Sequence, residues 1–181
     1  MAKQYSQITE KLSTFITQQK IFFVGTAGAD GKVNVSPKGM DSLRVLGPNR
    51  VSWLSVTGSG NESAAHVLEN GRMTLMFCAF EGAPMILRLY GTATVVYPRD
   101  EQWADLSAQF PTFPGTRQIF DLSIDLVQTS CGMAVPLYDY AQERDSLNQW
   151  ADKKGPDGIE AYWTEKNQVS LDGKPTHIFA N

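Results

Sequence analysis

The stretch Leu43-Arg44-Val45-Leu46-Gly47-Pro48-Asn49-Arg50-Val51-Ser52-Trp53-Leu54-Ser55-Val56 holds two short runs, Leu43 to Leu46 and Arg50 to Val56, around a three-residue turn. Runs of this length rich in branched and aromatic residues read as strands, and a turn so tight makes them antiparallel neighbours in a meander. Upstream, Lys20 to Thr26 reads as a short apolar strand with Phe22 and Phe23, and Ala29-Asp30-Gly31-Lys32 has hairpin-turn chemistry. Val33 and Val35 continue as a second strand, which Pro37 is expected to interrupt because it cannot donate a ladder hydrogen bond. Downstream, Arg72 to Ala79, Met85 to Tyr97 and Gln118 to Thr129 are further strand candidates. The sum is six or seven mostly antiparallel strands, a mainly β chain with peripheral helices that suits a small barrel or sandwich.

Helical spacing marks the flanks. Tyr5, Ile8, Leu12, Phe15 and Ile16 fall on one face of a first helix. Ser59 and Glu62 have capping-box spacing before a helix over Ala64 to Leu68, which Asn70-Gly71 ends. Asp100 to Phe110 reads as a short helix. Asp139 and Gln142 form a second possible capping pair, Leu147, Trp150 and Ala151 share a face, and Lys153-Lys154-Gly155 gives a cationic last turn with a glycine stop. Pro156 then suits the first position of another helix, ending near Asn167. No segment repeats or is low in complexity. The expected organisation is one barrel domain over residues 1–137, with a helical extension over 138–181 packed on it.

Composition excludes several function classes. The 181 residues carry 16 Lys+Arg against 19 Asp+Glu, a net charge of −3, and 42% are hydrophobic. A chain of this size buries roughly 70% of the surface it exposes when unfolded, so disorder is not expected. A mildly acidic chain lacks the field that binds phosphate backbones, and no basic stripe with interleaved aromatics occurs, which argues against nucleic acid. The longest apolar run, near Ile21 to Val24, is far short of the roughly 20 residues that span a bilayer. The start Met-Ala-Lys-Gln-Tyr-Ser has no apolar core of a signal peptide, and Cys78 and Cys131 are no disulfide framework. A soluble cytoplasmic protein without a membrane partner is the expectation.

The chemistry-bearing stretch is Asn34-Val35-Ser36-Pro37-Lys38-Gly39, followed after one strand pair by Thr57-Gly58-Ser59-Gly60-Asn61-Glu62-Ser63. A helix N-terminus presents unpaired amides and the positive end of a dipole, and glycines before it let an anion approach the backbone. Lys38 would add a full charge, and Ser36, Thr57, Ser59 and Ser63 hydroxyl donors. The plainer reading is a turn made by Gly58 and Gly60 with Ser59 as a helix cap. Arg88 lies inside the apolar run Ile86-Leu87-Arg88-Leu89, where alternation points it away from Leu87 and Leu89, to solvent or to an anion. His66 reads as a packed side chain or a base, Cys131 as a packed or a reactive thiol, and Trp150, Tyr162 and Trp163 as core or as a stacking platform. Two His and two Cys at these spacings match no metal site. No Gly-x-Ser-x-Gly, Walker loop or Gly-x-Gly-x-x-Gly follows a strand, which weakens hydrolase and ATPase readings.

Taken in order, Phe22 to Ala27, Asn34 to Gly39, Thr57 to Asn61, Arg72 to Phe77 and Arg88 to Gly91 resemble the pyridoxamine 5′-phosphate oxidase-like family of FMN-binding split barrels. The resemblance covers roughly residues 5 to 135. The tail, with Thr129 to Gly132, Val135-Pro136 and Ser170 to Gly173, resembles a bacterial subgroup of that family. It implies an antiparallel split β-barrel and a homodimer with FMN at the subunit interface. It also implies a phosphate held by Ser36 and Lys38, by Thr57, and by Ser59, Gly60, Asn61, Glu62 and Ser63 at the helix start, with Arg88 as a further source of charge. Family oxidases have an Arg-Lys pair where this chain has Glu62-Ser63, and a C-terminal Arg for the vitamin substrate where this chain has no Arg after Arg144. Pyridoxamine phosphate oxidase activity itself is therefore not expected. The leading expectation is a flavin oxidoreductase of unassigned substrate, with catalytic side chains unknown and no metal. The alternatives are a non-enzymatic, stress-associated barrel that binds flavin, or haem through His66 or His177, and a deazaflavin-dependent reductase.

Overall fold

A computed structural model describes residues 2–180. The chain runs β1 (Lys3–Tyr5), α1 (Glu10–Gln18), β2 (Phe22–Thr26), β3 (Asn34–Lys38), β4 (Leu43–Gly47), β5 (Arg50–Val56), α2 (Glu62–Asn70), β6 (Arg72–Cys78), β7 (Ile86–Val96), α3 (Trp103–Ser107), β8 (Thr116–Ser130) and α4 (Ser146–Lys166). All pairings between these strands are antiparallel, in the order β3-β2-β6-β7-β8-β5-β4, with β1 added beside β8. The mainly β expectation holds, and the strand number is eight because Lys3 to Tyr5, expected as helix, pairs with Val127 to Thr129 instead.

The topology also explains the barrel. β3 and β4 are opposite edges of the sheet, yet only residues 39–42 join them. Five peptide steps span at most about 18 Å, so the sheet must curl until its edges nearly meet. Met40 and Asp41 make that turn with φ of 64° and 54°, a left-handed conformation that costs strain in residues other than glycine. The sheet stays open between β3 and β4, and this split positions the site.

Two faces of the curled sheet are filled. Inside lie Val24, Val51, Trp53, Leu75, Phe77, Leu87, Leu89, Phe120 and Leu122, closed at one end by Ile8, Leu12 and Ile16. Trp53 stacks on Phe120 with ring centroids 4.4 Å apart. The other face of β5 and β8 sends Leu54 and Ile119 to a smaller cluster with Leu106 and Phe110 around α3. α1 begins at Thr9, whose Oγ1 accepts from the Leu12 amide at 3.3 Å. Thr9→Ala is expected to cost about 1 kcal/mol in urea denaturation, the usual worth of such a cap.

Several local expectations change. Pro37 does not interrupt its strand: β3 runs through it, paired with Phe23, because an edge strand has a side that needs no donor. Ser59 and Glu62 form no capping box; Asn61 is the N-cap of α2 and makes no side-chain cap bond. Gly71 ends that helix at φ 71°, as expected of Asn70-Gly71. The helix expected over Asp100 to Phe110 shrinks to five residues. Asp139 and Gln142 lie in coil, and α4 starts only after Asp145. Gly155, at φ 65° and ψ 172°, breaks α4 into the two expected helical pieces.

Candidate functional site: an anion pocket at the split

Alternation along β3 sends Val35 and Pro37 outward and Asn34, Ser36 and Lys38 toward the split. Across the gap stand Trp53 and Ser55 of β5, and Arg117 and Gln118 at the start of β8. The loop Gly58 to Asn61 and the first turn of α2 close one side. Together they line a cavity of about 390 Å³, within the usual range of small-molecule sites. Seven of the sequence candidates, Ser36, Lys38, Ser59, Gly60, Asn61, Glu62 and Ser63, are brought together there. Thr57 and Arg88 are not. Thr57 donates its hydroxyl to the Gly115 carbonyl and accepts from Trp163 Nε1, both at 2.7 Å, so it holds the loop. Arg88 extends from the outer face of β7 and donates to Ser130 Oγ at 3.3 Å.

The sequence reading missed Arg117. It is only 5% exposed, donates to the Gly60 carbonyl at 3.0 Å, Asn167 Oδ1 at 2.7 Å and Ser55 Oγ at 3.3 Å, and leaves its Nε without a partner. No carboxylate pairs with it or with Lys38 among the described residues. Lys38 instead lies 5.3 Å from the Trp53 ring centroid. Burial, reinforced by the like charge of Arg117, pushes the Lys38 ammonium down to about 8. Burial likewise brings Arg117 down to about 10. Two cations held in one cavity with no carboxylate paired to either are costly unless an anion joins them.

The polar frame around them is ordered. Asn61 and Gln118 exchange amide bonds at 2.6 and 3.3 Å, tying the helix start to β8. Asn34 Nδ2 donates to Ser63 Oγ at 3.2 Å, which leaves the Ser63 hydroxyl proton free to donate to a ligand. Asn34 Oδ1 accepts from Ser36 at 3.2 Å. Asn167, at the end of α4, bridges Arg117 and the Gly58 carbonyl. The signal for Arg117 was an Arg-Gln pair just before the apolar Ile119 and Phe120, one residue ahead of where that strand is expected to start.

The remaining candidates take plainer roles. His66 is 1% exposed, with Nδ1 3.1 Å from Thr26 Oγ1, so it presents no open face to haem. His177 is held in the tail by its carbonyl, which accepts from Arg99 at 2.7 Å. Trp150 and Tyr162 pack edge to face across the break in α4. Cys78 is buried, Cys131 is exposed, and both are free. Among the described residues no group of three His, Cys, Asp or Glu could hold a metal, and no helix is long and apolar enough to cross a membrane.

With this geometry in place, comparison with known proteins identifies the lineage. The sequence model of the pyridoxamine 5′-phosphate oxidase family matches residues 8–131, which span β2 to β8 and the whole split. The chain belongs to the pyridoxamine 5′-phosphate oxidase family. It is 35% identical over 189 residues to the pyridoxamine 5′-phosphate oxidase family protein ustO of Aspergillus flavus, covering 94% of this chain and 76% of that relative. Among solved structures, it is similar to a candidate pyridoxamine 5′-phosphate oxidase from Lactobacillus delbrueckii, with a TM-score of 0.55 and 23% identity over 68% of this chain and 94% of that one. It is also similar to the FAD binding protein from Mycobacterium smegmatis, at 0.50 and 12% identity over 70% of this chain and 97% of that one. These structures share its split-barrel fold.

Proposed function

We propose that this family member is an FMN-binding oxidoreductase that works as a homodimer, with the FMN phosphate in the pocket at the split. The observation that carries the reading is the pair Lys38 and Arg117, two cations in one cavity with no carboxylate paired to either and an unpartnered guanidinium Nε. These residues fit a phosphomonoester. Lys38 supplies a compact charge, Arg117 a planar donor, Ser63 a hydroxyl proton, and α2 its free N-terminal amides. The FAD binding protein of Mycobacterium smegmatis shares the fold, which supports a flavin ligand. A bound flavin would supply the electron-transfer chemistry, and the chain's own residues would anchor and orient it.

The homodimer rests on the outer face of the sheet. Val35 is 64% exposed on edge strand β3, beside the exposed Val33 and Pro37, an apolar stripe that a second copy would cover. Pyridoxamine phosphate oxidase activity is not part of the proposal, because residues 145–181 supply no Arg to pair with a substrate phosphate.

Protein purified from an overexpressing host is expected to be yellow and to release FMN on denaturation, identified by absorbance and mass, at one equivalent per chain. Colourless protein that also fails to bind added FMN would overturn the reading.

A further inference from the structure

Among the described residues Glu62 is the one acidic side chain lining the phosphate pocket, and it opens the helix whose first turn lines that pocket. A carboxylate there ought to compete with any anionic ligand for Lys38 and Arg117. It does not, because both of its oxygens lie 3.0 Å from the backbone amide of Leu171.

Leu171 belongs to a hairpin that the family match does not reach. Val169 and Pro175 pair across it, and the Ser170 amide donates to the Lys174 carbonyl at 2.8 Å. Side chains pin it to the body: Asp172 to Lys32 at 2.7 Å, and Lys174 to Asp30 at 2.6 Å and to Glu69. Single exposed ion pairs of this kind contribute little. Grouped on one short hairpin, they fix where the Leu171 amide points. The Leu171 side chain itself stands 73% exposed at the pocket rim.

We propose that the hairpin 168–175 is a latch that holds Glu62 away from Lys38 and Arg117, and so sets how tightly the pocket retains its phosphate ligand. Glu62 and Leu171 are positioning residues in this scheme. It rests on the phosphate-site reading above, and deepens it by making the C-terminal tail part of the affinity. With the latch closed, the two cations have no internal counter-ion and hold the ligand. With it open, Glu62 turns into the cavity it already lines and becomes that counter-ion.

One substitution isolates the amide. Gly173 N bonds to Ser170 O at 2.9 Å, so Leu171 is the second residue of a β-turn, a position proline favours. Leu171→Pro therefore deletes the donor while suiting the turn, Leu171→Ala keeps the donor, and Asp172→Asn loosens the hairpin with the backbone intact. Lys38 Nζ titration followed by NMR reads Glu62 directly, and FMN titration reads the consequence. Leu171→Pro is expected to raise the Lys38 midpoint by about one unit and weaken FMN about tenfold, a coupling of ordinary size. Asp172→Asn should shift both the same way by less, and Leu171→Ala should leave the midpoint in place. Adding Glu62→Gln to Leu171→Pro should restore both values.

A Lys38 midpoint unmoved in both Leu171→Pro and Asp172→Asn would overturn the latch, and so would an FMN defect that persists in the double variant. If the wild-type protein binds no FMN, the flavin reading fails by itself, and the Lys38 titration alone decides the latch.

Discussion

Lys38→Met is expected to weaken FMN binding about 100-fold and, in the same protein, to raise the melting temperature of the ligand-free form. The two effects have one cause. Lys38 sits in the pocket beside a second cation with no carboxylate paired to it, so the ligand-free fold bears an uncompensated charge that methionine, of similar length and without charge, would remove. Replacing a buried ion pair with apolar side chains of similar volume is often neutral or stabilising by about 1–4 kcal/mol, and a single partly buried lysine with no paired carboxylate belongs near the lower end. The phosphate then loses one of its two full charges. Removing one member of a desolvated charge pair costs about 2–5 kcal/mol of binding, and 100-fold corresponds to about 2.7 kcal/mol. Calorimetric titration with FMN and a thermal melt of ligand-free protein check both signs. A variant that loses affinity and stability together would mean that Lys38 is structural.

FMN affinity is expected to be level from about pH 7 to 7.5 and to fall by up to about tenfold per pH unit above pH 8, as Lys38 gives up its proton. The phosphate does not contribute, because its second ionisation, near pH 6, is complete throughout this range. Stability of the ligand-free protein should move the opposite way. Lys38 is lowered from 10.5 to about 8 in the folded chain, so between those values the unfolded chain binds more protons. Stability therefore rises as pH increases from about 8 to 10.5, and the full penalty is present below 8. Arg117, lowered to about 10, adds a contribution of the same sign only at the top of that range. Titrations and urea midpoints at pH 7, 8 and 9.5 would show both slopes, and Lys38→Met should flatten them. Wild-type affinity unchanged at pH 9.5 would exclude Lys38 as the charge that holds the phosphate.

The parts of the fold that rest on local chemistry were legible in the sequence. The hairpin at Gly47 to Asn49, the glycine stops at Gly71 and Gly155 and the runs that become β2, β5, β6 and β7 depend on residues close in the chain. Expectations went astray where a distant partner decided. Tyr5 had the right spacing for a helix but is taken by the edge of β8. Pro37 looked like a break until its strand proved to be an edge. Ser59 and Glu62 had the spacing of a capping box, but the Glu62 carboxylate is claimed by an amide 109 residues away.

The same division holds for the site. Lys38, Ser63 and the glycines before α2 were visible because a helix start, hydroxyls and a cation within a short span carry their meaning locally. Arg117 was not, since nothing in Thr116-Arg117-Gln118 says that a strand buried on both faces begins there, or that its first side chains close a cavity with β3 and α2. By itself, the sequence determined most of the strands and helices, the family and one half of the candidate anion site. The tertiary structure decided the rest: which edges meet at the split, which second cation stands beside Lys38, and which way Glu62 points. Hydrogen-bonding pattern and turn propensity act over a few residues and are written in order along the chain. The balance of charge in a cavity sums over strands that become neighbours only when the sheet curls.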